Sequence, residues 1–186
     1  MRLGVVSDTH GYFDSQLSRL LQGVDAILHA GDVGSQAVLD QLRLIAPVHA
    51  VRGNVDSPAL ELPPTLTAEF GGIQIQMLHE IPTSQSTLRD WEQADPLEGK
   101  AAEHCRRFLE RLPDGCQVVI FGHSHEPCAL VLGGKLFFNP GSAGKKRFSL
   151  PRCCGKLEIS VHGVRATFLG LERYNEDLPE SVDLAI

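Results

Sequence analysis

At 186 residues, with 42% hydrophobic and 22% charged residues, the chain is long enough to bury a sizeable core without disulfides or structural metal. A formal charge of −6 argues against general nucleic-acid binding, which draws on basic surfaces. No stretch approaches the ~18 apolar residues of a membrane span, and the chain opens on "RLGVVSD" with no basic-then-apolar leader, so a cytoplasmic protein is expected. The cysteines at 105, 116, 128, 153 and 154 are odd in number and lack CxxC spacing. Reduced thiols are therefore expected, with Cys153-Cys154 read as packed or exposed thiols before a redox pair.

Leu3 to Val6 reads as a strand, followed by Phe13, Leu17, Leu20, Leu21 and Val24 on one helix face. Ala26 to Leu28 is a second strand, Val38, Leu39, Leu42 and Ile45 mark a second helix, and Val48 to Val51 is a third strand. Strands alternating with helices of this length predict βαβ units and a parallel sheet. Leu66 to Phe70 and Ile73 to Leu78 then form a hairpin around Gly71-Gly72. Residues 81–98 read as a loop or short helix, leading into a helix near 98–112. Strands follow at 117–121, 128–132, 135–138, 156–161 and 164–171, mostly antiparallel in style, with a polar tail from about 174. The expectation is one domain over 1–186.

The chemistry-bearing residues gather where strands end. The first strand ends in Ser7-Asp8-Thr9-His10, the second in His29-Ala30-Gly31-Asp32 and the third in Arg52-Gly53-Asn54-Val55-Asp56. The hairpin strand ends in His79-Glu80, and the run Val118 to Phe121 ends in Gly122-His123-Ser124-His125. In open α/β sheets these carboxyl ends line one edge, where ligands bind. Side chains at i and i+2 of an extended chain project to one side, so Asp8 with His10, and His123 with His125, can each grip one ion. Carboxylate, imidazole and amide oxygen suit manganese, iron, zinc, cobalt or nickel better than calcium or a structural zinc. Seven such donors are too many for one ion and fit two ions sharing a carboxylate. Gly31 and Gly53 would let the backbone turn tightly beside Asp32 and Asn54. His29 reads equally as support for the metal site or as a packed structural residue, and His49, His104 and His162 lie outside the pattern.

Together, Asp8-x-His10, Gly31-Asp32, Gly53-Asn54, His79 and Gly122-His123-Ser124-His125 resemble the motif series of calcineurin-like metallophosphoesterases. "VRGNVDS" and "FFNPGSAGKKRFSLPR" further resemble the small bacterial and archaeal phosphodiesterase branch. The resemblance spans roughly residues 1 to 170. It implies an α/β fold, a four-layer α/β/β/α sandwich of two mixed β-sheets with flanking helices, holding two divalent transition-metal ions between the sheets, manganese first. By motif, Asp8, His10, Asp32 and His125 would bind one ion, and Asn54, His79, His123 and the shared Asp32 the other. The implied activity is in-line hydrolysis of a small phosphoester by a bridging hydroxide.

Asp32, Asn54 and Asp56 are then the candidate catalytic residues, Asp56 either as an acid or as a hydrogen-bond partner of backbone or of an imidazole. Arg52 and Asn54 are the candidate substrate contacts, and Lys145-Lys146-Arg147 reads first as a solvated basic face. The sequence departs from the family twice. Val55 stands where many members have a histidine after Gly-Asn, which favours diesters over monoesters, and Glu80 stands where the branch usually has glycine. Phosphodiesterase, phosphomonoesterase of a nucleotide or small metabolite, and non-catalytic scaffold are the readings in that order. No membrane or general nucleic-acid partner is expected, and the sequence leaves homo-oligomerisation open.

Overall fold

The computed structural model describes residues 1–94, 97–147, 149–172 and 178–185. Strands β1 (Arg2–Val6), β2 (Ala26–His29) and β3 (Val48–Ala50) pair in parallel, with α1 (Gln16–Leu20) and α2 (Gln36–Arg43) in the crossovers. Both β1 and β2 are buried almost throughout, as expected of parallel strands covered on both faces. The long antiparallel strands β9 (Cys153–Ser160) and β10 (Gly163–Gly170) extend this sheet beyond β1. Its edge is β11 (Val182–Ala185), giving the order β11-β10-β9-β1-β2-β3.

The second sheet contains β4 (Thr65–Phe70), β5 (Ile73–Leu78), β6 (Val118–Ile120), β7 (Cys128–Leu132) and β8 (Lys135–Asn139), in the order β4-β5-β6-β8-β7. Helices α3 (Gln85–Gln93) and α4 (Gly99–Leu109) precede β6. The two-residue period of each strand decides which layer its side chains enter. Val118 and Ile120 join Leu3, Val5, Leu28, Ile75, Met77 and Phe138 in the core between the sheets. Val119 and Phe121 point the other way, packing with Leu88 of α3 and Cys105 and Phe108 of α4. On the opposite side, Val6 and Ile27 pack against Leu17 of α1 and Leu39 and Leu42 of α2. Two mixed sheets lie face to face with helices outside them, which is the sandwich the motif series implied.

The structure differs from the sequence expectation in four places. α1 spans only Gln16–Leu20, although Leu21 and Val24 still pack inward beyond it. β6 lies parallel to both β5 and β8, an exception among strands read as mostly antiparallel, and it makes the second sheet mixed as the resemblance implied. β9 begins at Cys153 rather than 156, because Gly155 is a strand residue paired with Val5, and the ring of Phe138 lies where a Cβ would stand. Finally, the expected polar tail carries β11, paired with β10 through Arg165 opposite Asp183. Residues 174–177 of that tail lie outside the described part of the chain. The 81–98 insert holds the nine-residue α3, whose Ser84 hydroxyl accepts from Thr87 N–H as an N-cap.

Candidate metal centre

The carboxyl ends of β1, β2, β5 and β6, and the loop after β3, meet at one rim. Asp8, His10, Asp32, His123 and His125 all adopt left-handed backbone conformations, with φ of 54°, 47°, 52°, 69° and 59°. Only Glu61 shares this geometry among the other described non-glycine residues. Such strain gathers at functional sites because the surrounding structure must hold it in place. Two glycines permit the crowding. A Cβ at Gly53 would collide with the Asp32 carboxylate, and one at Gly31, φ 93°, with the His79 ring.

Each carboxylate is anchored through one oxygen and turns the other to the centre. Asp8 Oδ2 accepts from the backbone N–H of His123 at 3.1 Å. Its Oδ1 lies 3.2 Å from His125 Nε2 and 4.0 Å from the Nε2 atoms of both His10 and His79. Asp32 Oδ1 accepts from Val55 N–H at 3.1 Å, while Oδ2 lies 3.4 Å from His79 Nε2 and 3.8 Å from His10 Nε2. Asp32 thus reaches imidazoles of both expected ligand groups. The Nε2 atoms of His10 and His125 face each other at 3.1 Å. Asn54 Oδ1 lies 3.0 Å from His79 Nε2 and 3.1 Å from His123 Nδ1. All seven expected ligands therefore come together, and two triads, Asp8-His10-His125 and Asp8-Asp32-His79, bring their donor atoms within 4.8 Å of one another.

The donors fit divalent cations. Asp8 Oδ1 is fully buried and accepts no hydrogen bond. A buried carboxylate oxygen without a donor is costly, and a cation is the partner that removes the cost. Mixed N/O donors match a transition metal better than calcium. His79 Nδ1–H donates to the Ala30 carbonyl at 2.8 Å, which fixes the tautomer and leaves Nε2 for the centre.

Electrostatics follow burial and neighbours. Burial pushes the Asp32 carboxyl up, but the His79 hydrogen bond and the Val55 amide outweigh it and hold its pKa at about 2. Burial likewise opposes charge on His79, yet the Asp32 hydrogen bond and the Asp8 charge raise its pKa. His10 is lowered by burial first and by the positive charge of Arg147 second. The basic run read as a solvated face therefore sends Arg147 close enough for His10 to feel it. Fully buried His29 is held neutral by desolvation, its pKa down to about 4. Thr9 Oγ1 donates to the Val33 carbonyl and lies 2.9 Å from His29 Nε2, so it accepts from that ring N–H.

Asp56, a candidate acid from sequence, has a different set of partners. Its carboxylate accepts from the N–H groups of Gly34, Gly53 and Val33 at 2.7, 2.8 and 3.2 Å. Arg52 is exposed and lines a cleft of about 240 Å³ with Asn54, His79 and Glu80. Sequence reasoning missed Asn139 as a support. Its buried Nδ2 donates to the Gly122 carbonyl, Ser124 Oγ and Gln85 Oε1 at 2.9, 2.9 and 3.2 Å. The available signal was its place in "NPGSAG", where Ser142 Oγ also donates to the Asp8 carbonyl.

The calcineurin-like phosphoesterase superfamily domain matches residues 1–161. A Methanothermobacter thermautotrophicus protein named a probable metallophosphoesterase is 30% identical over 158 residues, 81% of this chain and 82% of its own length. Wild-type Vps29 of Entamoeba histolytica, solved in complex with zinc, aligns with a TM-score of 0.68 at 26% identity over 99% of both chains. YfcE, a phosphoesterase from E. coli, aligns at 0.66 and 21% identity over 99% of this chain and 100% of its own. The fold, the sequence match and the converging donors agree, and the chain belongs to the calcineurin-like phosphoesterase superfamily.

Proposed function

We propose that this protein is a metal-dependent phosphodiesterase working at a dinuclear centre. Its family makes metal-dependent phosphoester hydrolysis the chemistry of the centre. The observation that carries the dinuclear reading is the unpartnered Asp8 Oδ1 inside a ring of donors, with Asp32 Oδ2 reaching His10 and His79 alike. When bound, two adjacent divalent cations supply a nucleophile from water at neutral pH and offset phosphoryl charge.

The side chains do the rest. Asp8, His10, Asp32 and His125 would hold one ion, and Asn54, His79, His123 and Asp32 the other. The Ala30 carbonyl accepts from His79 Nδ1–H and so turns Nε2 toward the ion, and the Val55 amide fixes the rotation of Asp32. Arg52 and Arg147 supply cationic charge at the rim for an anionic substrate, and Asn54 Nδ2 is the donor for a phosphoryl oxygen. Asp56 holds the Asp32 and Asn54 loops together through its three amides.

The preference for diesters rests on two features. Exposed Val55, rather than a proton donor, follows Asn54, so poor leaving groups gain no help there. Two cavities, of about 240 and 460 Å³, also open on either side of Glu80, which suits a phosphorus carrying two organic substituents. Five free, buried cysteines support a reducing, cytoplasmic setting. The test compares bis(p-nitrophenyl) phosphate with p-nitrophenyl phosphate on manganese-supplemented protein. A higher kcat/KM for the diester is expected, and the opposite ranking would make the protein a monoesterase. No turnover of either, with no stoichiometric metal, would leave a scaffold. Asp32→Ala should reduce turnover to background even at saturating metal.

A further inference from the structure

The larger of the two cavities combines apolar walls with one carboxylate. Its volume is about 460 Å³, and residues 80–85 form one side while Phe121, Gly122, His123 and Ser124 form the other. Ile81, Pro82 and Phe121 give it apolar walls. Among the described residues, lysine and arginine are absent from the lining and Glu80 is its single carboxylate. The nearest imidazole to Glu80, that of His123, is a proposed metal ligand, with Nε2 3.8 Å from Glu80 Oε1. That distance is too long for a hydrogen bond, and a metal-bound imidazole is a weak counter-charge because it binds in its neutral form. Among the described residues no lysine or arginine comes within ion-pair distance of the Glu80 carboxylate, which stands exposed at the cavity mouth.

From this arrangement we infer that the cavity is a substrate subsite for one arm of a phosphodiester, and that Glu80 selects an arm ending in an ammonium group. A phosphoryl group held by the His123 side of the centre extends one substituent directly into this space. Apolar walls with an anionic mouth suit an alkylammonium, whose carbon body and positive charge are matched together, and they disfavour a second phosphate or a carboxylate. The smaller cleft, where Arg52 faces the same Glu80 across Asn54 and His79 and balances its charge, would take the other arm. This subsite rests on the diesterase reading, deepening it from a bond type to a substrate class.

The test uses the manganese-loaded full chain and two aryl diesters of equal shape, p-nitrophenylphosphorylcholine and its carbon isostere, 3,3-dimethylbutyl p-nitrophenyl phosphate. Wild-type protein should favour the cationic diester by about fivefold in kcat/KM, the ratio one exposed charge pair supports. The difference should lie mainly in KM and shrink as salt is raised from ~0.05 to ~0.5 M. Glu80→Gln should bring the ratio to about one. Equal rates in the wild type, or a preference that survives Glu80→Gln, would overturn the subsite. Should p-nitrophenyl phosphate alone be hydrolysed, the diesterase reading fails. The subsite is then judged by the same two compounds as inhibitors of the monoester reaction. A fivefold tighter inhibition by the cationic compound that Glu80→Gln abolishes sustains it, and equal inhibition overturns it.

Discussion

Asp56 and Asp32 are carboxylates of the same rim, and their partners give them different work. Asp56 spends its oxygens on three loop amides, whereas Asp32 keeps one oxygen for imidazoles of both ligand groups. Removing Asp56 leaves buried N–H groups without an acceptor, so Asp56→Ala should cost about 2–4 kcal/mol in urea denaturation, and Asp56→Asn less. A general acid would behave differently, keeping its denaturation midpoint and losing the alkaline limb of the pH–rate profile. Sequence left both roles open for Asp56 because two of its partners, Val33 and Gly34, are separated from it by 23 and 22 residues. The convergence of the expected ligand residues on one rim was legible for the opposite reason. Each sits in a short motif just past an apolar run, which fixes the sheet edge it reaches. Left-handed turns, rather than an extended i, i+2 pattern, aim the side chains, so that His123 meets Asn54 and His125 meets His10. The thiols offer a simpler check. Burial pushes the Cys128 pKa up to about 11 and that of Cys153 up to about 12, so the native protein should react with a disulfide reagent only after unfolding.

Between elements, the Gly122–His125 loop depends on contacts from two directions. Asn139, at the end of β8, donates to Gly122 and Ser124, and its own Oδ1 accepts from Gly141 N–H. Gln85, at the start of α3, accepts from Ser124 and donates to the Glu126 carbonyl, while Arg89 pairs with Glu126 at 2.7 Å. Asn139→Ala should therefore lower kcat by about 10–100-fold, the usual cost of losing support behind a ligand, with its circular dichroism spectrum retained. Leu88→Ala on the buried face of α3 should cost about 2–5 kcal/mol in urea denaturation. The parallel first sheet was readable from its buried runs alternating with helices. β11 and the early start of β9 were not. One is a short strand in a polar stretch, and the first residues of the other include Gly155, whose missing side chain makes room for Phe138.

At the scale of the whole molecule, the site loads the fold with buried ionisable groups, and stability should depend on pH accordingly. His29 has a folded pKa of about 4 against an ordinary 6.5, because burial disfavours its charge. The unfolded chain binds the proton more readily, so this stability is complete above about 6.5 and is lost as pH falls toward 4. The shift corresponds to about 3 kcal/mol. In urea denaturation with EDTA present, wild-type protein should lose more stability between pH 7 and 4.5 than His29→Gln does, by about that amount. Identical slopes would show that His29 is not the group responsible. The central claim is that this fold carries two adjacent cation sites joined by Asp32, and metal stoichiometry on the purified chain tests it most directly. Elemental analysis after manganese loading and desalting should find two ions per wild-type chain and at most one in Asp32→Ala. A single ion per wild-type chain, or two retained by the variant, would contradict the account.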